Sequence, residues 1–79
     1  MIRLLFFGRL GDFATNVPLT IEASTPAEIR DFMAEDYPKL FKELSQPQVL
    51  VSVNQMIVEW GQPLIDGSEV AFLPPVTGG

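Results

Sequence analysis

Residues 25–37 read TPAEIRDFMAEDY, and this stretch decides the fold because it carries the clearest helical signal in the chain. Thr25 offers a capping hydroxyl, Pro26 stands at the first helical position, and Glu28 stands at the third. Pro38 should end or kink the helix just beyond this stretch. Apolar side chains recur behind the cap at helical spacing: Ile29, Phe32 and Met33. The sequence therefore predicts one main helix with the rest of the chain arranged around it.

Segments with strand patterns lie on both sides of this helix. Residues 2–8 are rich in β-branched and aromatic side chains, and residues 17–23 alternate apolar with polar ones. Turn formers fill residues 9–16, so these two strands should form a hairpin. After the main helix, a second short helix, three strands and two turns are predicted: helix around 40–44, strand 49–53, turn 54–55, strand 56–60, turn 63–67 and strand 69–73.

This order of elements predicts an α+β domain of the β-grasp (ubiquitin-like) type. A mixed sheet of four or five strands would pack on one side against the helix. A right-handed crossover would place the last strand beside the first, in the sheet centre. We expect the domain to cover residues 1–75 and residues 76–79 to form a flexible C-terminal tail, because nothing in the tail packs.

Composition narrows the possible functions. The 79 residues suit a single domain, and the absence of cysteine and histidine predicts no metal site, disulfide or Ser-His pair. The net charge of −5 argues against nucleic-acid binding and favours partners with basic docking surfaces. No apolar run is long enough to span a membrane, and residues 1–8 fit a first strand better than a signal peptide. A cytoplasmic protein is therefore expected.

One face of the predicted sheet should remain uncovered, because one helix can cover only the other face. Side-chain alternation makes this open face too apolar for bulk water, and such a patch usually marks a protein interface. We expect Phe7, Ile57 and Leu73 to form a contiguous patch at its centre. Two alternatives remain. The assignment of side chains to the two faces is shifted by one residue, or the short second helix covers these residues. The open face is assigned these residues: Arg3, Leu5, Phe7, Leu50, Ser52, Ile57, Glu59, Ala71 and Leu73.

The last six residues, PPVTGG, concentrate the chemistry. Pro74 and Pro75 end the last strand, and Gly78 and Gly79 carry no side-chain bulk, so the tail could enter a narrow active site. An α-carboxylate is ionised at pH 7 and is a poor electrophile. The Gly79 carboxylate would therefore first need conversion to an acyl-adenylate. A sulfur nucleophile could then displace AMP, and the product would be a C-terminal thiocarboxylate. The chain has no glycine-rich phosphate loop, so a separate ATP-using enzyme must perform this activation.

The closing residues 66–79 (DGSEVAFLPPVTGG) resemble the end of the small subunit of molybdopterin synthase, the MoaD group of the MoaD/ThiS ubiquitin-like sulfur carriers. Residues 63–64 (PL), 53–55 (VNQ) and 4–7 (LLFF) match that family as well. The similarity spans nearly the whole chain, and its specific part is the ending at residues 74–79.

This resemblance implies a non-catalytic carrier subunit. Gly79 would be adenylated by an E1-like activating enzyme that uses ATP, with no tightly bound cofactor, and would take sulfur from a donor protein. The tail would then enter the active site of the large catalytic subunit, in a heterotetramer of two small and two large subunits. Two carriers would give two sulfurs to cyclic pyranopterin monophosphate, which yields the dithiolene of molybdopterin. The residues threading the tail would be Pro75, Val76, Thr77 and Gly78.

The family interface uses apolar residues that match Phe7, Ile57 and Leu73, the three already placed on the open face by alternation. Family members often carry an Arg-Glu pair after the first strand. Here residues 9–12 read RLGD, so Arg9 is the candidate for a polar contact with the partner.

Three other functions remain open at this point. A carrier for the thiamine thiazole would share the chemistry, although that group usually lacks the Pro-Pro-Val-Thr run. A ubiquitin-like modifier would be conjugated to lysines through Gly79, and a plain binding module would have an inert tail. An independent enzyme is least expected, because no base is available to activate a serine. Trp60 and Tyr37 are interpreted as core-edge aromatics, and the charged side chains of the helices as a solvated face.

Overall fold

A computed structural model of the chain describes residues 1–75. The predicted flexible tail, residues 76–79, lies outside the described residues, so that part of the domain prediction stays a prediction. Residues 1–75 contain five strands, two α-helices and a 3₁₀ helix: β1 Ile2–Phe6, the 3₁₀ helix Gly8–Phe13, β2 Thr20–Ile21, α1 Pro26–Asp36, α2 Pro38–Leu44, β3 Leu50–Val53, β4 Met56–Val58 and β5 Glu69–Leu73.

The strands form a single mixed sheet in the order β2-β1-β5-β3-β4. Strand β5 lies in the centre, parallel to β1 and antiparallel to β3. Strands β2 and β4 are the two edges, each paired antiparallel to its neighbour. The predicted α+β, β-grasp class is confirmed, and so is the placement of the last strand beside the first.

Helix α1 begins where the sequence predicts. The Thr25 side-chain Oγ1 accepts a hydrogen bond from the backbone N–H of Glu28 at 3.1 Å, and Glu28 Oε1 accepts from the Ser24 N–H at 3.3 Å. The first bond satisfies a donor that an uncapped helix would leave free, and the second ties the residue before the cap to the first turn. The helix ends at Asp36, and Tyr37 has a non-helical φ of −134° before Pro38 starts α2. The predicted break at Pro38 is therefore confirmed.

The core lies between the two helices and one face of the sheet. Phe72, on the central strand, is fully buried and stacks on Phe6 and Trp60 at centroid distances of 5.2 and 5.7 Å. Burial of such apolar area is the main stabilising contribution in a domain of this size. The assignment of this face from alternation is confirmed, and the helices supply Ile29, Met33, Leu40 and Leu44 to it. Phe32 is 45% exposed instead, because it projects from the flank of α1.

Two sequence predictions about local structure are wrong. Residues 9–16 are not an open turn, because a 3₁₀ helix spans Gly8–Phe13 and buries Leu10 completely. Leu10 and Phe13 are apolar residues in a segment rich in turn formers, but the burial of Leu10 depends on distant parts of the chain, so the sequence alone did not indicate this helix. Three strands are also shorter than predicted: β1 ends at Phe6, β2 spans only Thr20–Ile21, and β4 ends at Val58. Alternation reports which face a side chain occupies, but a strand also needs a neighbouring strand to pair with.

The hairpin between β3 and β4 turns at the predicted position. Asn54 and Gln55 both adopt positive φ, 50° and 74°, as a two-residue turn of primed type requires. Asn54 also ties the turn to β5, since its Oδ1 accepts a hydrogen bond from the Glu69 N–H at 3.0 Å. The position of β4, and of the side chains on it, is therefore fixed against the central strand.

Candidate functional site

The face of the sheet opposite the helices, here named the open face, is not covered by any element of residues 1–75. The strand register places its side chains in rows across the sheet. One row joins Leu5, Ala71, Ser52 and Ile57, because each is the cross-strand partner of the next. A second row joins Leu50 to Leu73. The large apolar side chains of this face are substantially exposed: Leu5 37%, Phe7 47%, Leu50 48% and Ile57 58%.

Phe7 belongs to this second row although it lies just beyond β1. Its backbone N–H donates to the Phe72 carbonyl at 3.0 Å, which continues the parallel ladder by one step. Phe7 and Leu73 therefore lie side by side at one end of the sheet, whereas Ile57 sits on the edge strand β4. The predicted patch exists, but it crosses the sheet from β1 to β4 and is not confined to the centre.

Two small residues on the open face are buried despite facing away from the helices. Ser52 is 6% and Ala71 5% exposed, because larger side chains flank them in the same row. Both alternatives considered for this face are wrong: the register matches the assigned alternation, and α2 packs with α1 and the 3₁₀ helix on the other side. The open face is thus a shallow apolar surface without gaps at its centre.

Polar groups border the apolar rows. Arg3 Nη2 lies 3.3 Å from Glu69 Oε2, and these residues are cross-strand partners on the same face. Asn54 extends this polar row, because its Oδ1 accepts a hydrogen bond from the Glu69 N–H, and Glu59 follows the end of the edge strand β4. An apolar centre with a polar border is the usual anatomy of a protein–protein interface.

The chain leaves β5 beside this surface. Pro74 packs against Gly8, where a Cβ atom would lie only 2.9 Å from Pro74 Cγ and where φ is +56°. Glycine is required for this close approach, since other residues rarely adopt that φ. The contact fixes the root of the tail next to Phe7. Pro75 is half-buried, whereas Val76, Thr77, Gly78 and Gly79 lie outside the described residues.

The model of the ThiS family matches residues 4–79. The chain belongs to this family. A curated relative, the molybdopterin synthase sulfur carrier subunit of Escherichia coli (strain K12), is 37% identical over 81 residues that cover 100% of both chains. This membership agrees with the resemblance of the sequence to the MoaD/ThiS carriers.

Solved structures resemble the ThiS-family chain over nearly its whole length. A chain from the protein–protein complex of subunits 1 and 2 of molybdopterin-converting factor from Helicobacter pylori 26695 is 25% identical, with a TM-score of 0.65, and 99% of this chain and 97% of that chain are covered. SAMP1 from Haloferax volcanii has a TM-score of 0.78 at 22% identity, with 99% and 98% covered, and this likeness concerns the fold alone.

Arg9, the predicted polar contact of this ThiS-family domain, lies on the helical side of the fold. Its Nη2 donates to Glu43 Oε1 of α2 at 3.0 Å, and the Arg9 side chain is 60% exposed. The structure therefore does not bring Arg9 onto the open face with Phe7 and Leu73. Its role in partner binding stays a prediction.

The remaining polar side chains form no second site in the described part of the chain. Within residues 1–75, no three Asp, Glu, His or Cys side chains gather as a metal site, and no helix is long and apolar enough to cross a membrane. Trp60 and Tyr37 are half-buried at the core edge, as predicted, with the Tyr37 hydroxyl donating to the Asn16 carbonyl at 2.9 Å.

Sequence reasoning missed one feature near the open face. An open cavity of about 480 Å³ adjoins the edge of the sheet between the start of β3 and the end of β4. Leu50 and Glu59, which alternation placed on the open face, line it together with Trp60. No pattern in the sequence signals this cavity, because it arises from the early end of β4.

Proposed function

We propose that this protein is the sulfur carrier subunit of a molybdopterin synthase. Gly79 carries sulfur as a thiocarboxylate and donates it to cyclic pyranopterin monophosphate in the active site of the large subunit. The observation that carries this proposal is the placement of the tail root. Pro74 leaves the central strand beside Phe7, so one partner that covers the open face also receives the tail.

The chemistry at Gly79 proceeds in balanced steps. The carboxylate attacks the α-phosphate of ATP, which forms an acyl-adenylate and releases pyrophosphate. The terminal sulfur of a donor-protein persulfide then attacks the acyl carbon and displaces AMP, which gives an acyl disulfide. A dithiol reduces the S–S bond of this intermediate, so that Gly79 keeps the thiocarboxylate, the donor thiol is released and the dithiol becomes a disulfide. The folded domain supplies no catalytic group in these steps. It supplies a docking surface and a terminus free of side-chain bulk.

Two kinds of partner follow from this scheme. An E1-like adenylating enzyme binds ATP and activates Gly79, and the large subunit accepts the charged carrier. Because the activation consumes ATP, we place these steps in the cytoplasm. The net charge of −5 favours basic surfaces on both partners, which accelerates encounter. The full-length similarity to the E. coli carrier subunit supports molybdopterin synthesis over the thiamine pathway.

The test is a reconstituted synthesis with purified large subunit, activating enzyme, ATP, sulfur donor and cyclic pyranopterin monophosphate. Deletion of Gly79 should abolish molybdopterin formation, because the chain is then one residue shorter and its terminal carboxylate no longer reaches the activating site. Gly79→Leu should have the same effect through its bulk. Thermal unfolding should remain that of the unaltered protein for both variants, because neither change alters a residue of the described core.

Binding to the large subunit separates the carrier from a plain binding module. The truncated chain should still bind through its open face while giving no product. Full product formation by the truncated chain would show that the tail is inert and would overturn the proposal.

A further inference from the structure

The cavity at the sheet edge forms because β4 is shorter than the strand it pairs with. Strand β4 pairs only with residues 51–53 of β3. After Val58 the chain turns towards α1, where the Trp60 carbonyl accepts a hydrogen bond from the Ala27 N–H at 2.9 Å. No described strand therefore continues beside residues 47–50 on that side. The notch that remains is the cavity of about 480 Å³, here named the edge pocket.

The walls of the edge pocket are apolar and firmly placed. Leu50, Val58 and Trp60 contribute to its lining. The indole of Trp60 stacks on Phe72, with centroids 5.7 Å apart, and also contacts Arg30, whose Cζ lies 4.8 Å from the ring centroid. A side chain fixed by both stacking and a cation–π contact keeps its position when a ligand binds. The wall is therefore preformed.

A single carboxylate, that of Glu59, lines this apolar pocket. Within residues 1–75 Glu59 forms no salt bridge and its side chain makes no hydrogen bond. No lysine or arginine is among the described residues that line the pocket. The pocket thus offers an open notch with apolar side chains on its walls and one carboxylate at its rim.

We propose that the edge pocket receives a long basic side chain, arginine or lysine, from the large subunit. The inference rests on the proposed function and adds a specificity contact to it. The methylene stem of such a side chain packs on Leu50 and Val58 while its cationic end meets the Glu59 carboxylate, because basic side chains bury their stems and keep the charge at a polar site. The net charge of the protein, −5, also favours a basic group in the pocket, since the partner of an acidic protein is expected to be basic.

Continuity with the open face makes the same partner the occupant. Leu50 belongs to the apolar row with Leu73 and also lines the edge pocket. A partner that covers Phe7 and Leu73 therefore reaches the pocket without a break in the contact. The pocket lies on the β3 side of the central strand and Phe7 on the β1 side. A charged contact in the pocket therefore also fixes the orientation in which the domain docks, so that the tail root between them faces the active site.

The test uses purified large subunit and full-length protein, with affinity measured by calorimetry at several salt concentrations. Glu59→Gln keeps the shape and removes the charge, and we expect it to weaken binding ~5–30-fold and to reduce the salt dependence. Glu59→Arg should weaken binding ~100-fold or more, because two cations then meet. Glu35→Gln, an exposed carboxylate on α1, is the matched control and should bind as the unaltered protein does.

A second variant tests the pocket without altering charge. A Cβ at Gly61 meets nothing within 4 Å, so a side chain can begin there without a clash. Gly61 also lines the edge pocket, and we therefore expect Gly61→Phe to obstruct it, with thermal unfolding as the check that the variant folds. We expect it to weaken binding ~10-fold or more, whereas Gly61→Ala should have little effect. Phe7→Asp serves as the test of the open face itself.

The outcomes separate this inference from the function it rests on. If Glu59→Arg and Gly61→Phe bind normally while Phe7→Asp does not bind, the open face stands as the interface and the edge pocket has no part in it. If Phe7→Asp also binds normally, the proposed docking surface is wrong. A change in the oligomeric state of the free protein on Glu59→Arg, with partner affinity unchanged, would assign the pocket to a second copy and overturn the inference.

Discussion

The two faces of the sheet differ in what covers them far more than in how apolar they are. On the helical face Leu4, Val70 and Phe72 are at most 3% exposed. On the open face Phe7 and Ile57 are 47% and 58% exposed, although they are as apolar as the first set. Apolar side chains on the helical face stabilise the fold. Those on the open face add little to the fold and favour association, so their presence is explained by a partner.

The largest expected difference between the faces concerns stability. Phe72→Ala should lower the free energy of unfolding by about 3–5 kcal/mol, because it removes a fully buried ring and leaves a cavity. Phe7→Ala, the same chemical change on the open face, should cost less than about 1 kcal/mol. Urea denaturation of both variants measures the two losses. Equal losses would show that the open face is part of the core.

For binding to the large subunit, substitutions on the open face should have the large effects. Ile57→Asp should weaken affinity for the large subunit ~30-fold or more, because a charge then replaces an apolar contact in the interface. The matched control is Leu19→Asp, which alters a leucine that is 80% exposed but lies before β2 and outside the open-face rows. Calorimetry with purified large subunit compares the two. Similar losses for both variants would mean that the open face is not a distinct binding surface.

The two buried serines offer a smaller contrast. Ser68 precedes β5 on the helical side, and its hydroxyl is buried with no hydrogen-bond partner among residues 1–75. Ser68→Ala should therefore raise the free energy of unfolding by about 1 kcal/mol, since an unsatisfied polar group is removed. Ser52→Ala on the open face should change it less. Thermal unfolding monitors both, and a loss of stability in Ser68→Ala would point to a bound water or other partner for its hydroxyl.

Substitution of Arg9 should have the smallest effect on stability, and it tests the prediction that Arg9 contacts the partner. Because the Arg9 side chain is 60% exposed and paired with Glu43 of α2, Arg9→Ala should change stability by only about 0–1 kcal/mol, and less at high salt. Its effect on affinity for the large subunit should also remain below that of Ile57→Asp. A larger loss of affinity would restore Arg9 as a principal partner contact.

Much of the fold could be predicted because local chemistry and tertiary structure agree. The cap at Thr25, the break at Pro38 and the turn at residues 54–55 depend on nearby atoms, and each appears where the sequence places it. The 3₁₀ helix at Gly8–Phe13 did not follow from the sequence, because it depends on burial of Leu10 by distant parts of the chain. Strand ends were misplaced for the same reason: they depend on which neighbour is present to pair.

The same distinction between local and long-range determinants applies to the candidate site. Alternation placed Phe7, Ile57 and Leu73 on one face, since side-chain direction in a strand is a local property. It could not show that Ile57 lies at the sheet edge, which depends on strand order. The edge pocket and the contact between Gly8 and Pro74 were also beyond reach, because each joins segments far apart in sequence.

The most direct test of the carrier mechanism is the intact mass of the protein after incubation with activating enzyme, ATP and a sulfur source. We predict a gain equal to one sulfur minus one oxygen, located on the peptide that contains Gly79. An unchanged mass, or attachment of this protein to lysine side chains of other proteins without any thiocarboxylate, would contradict the account.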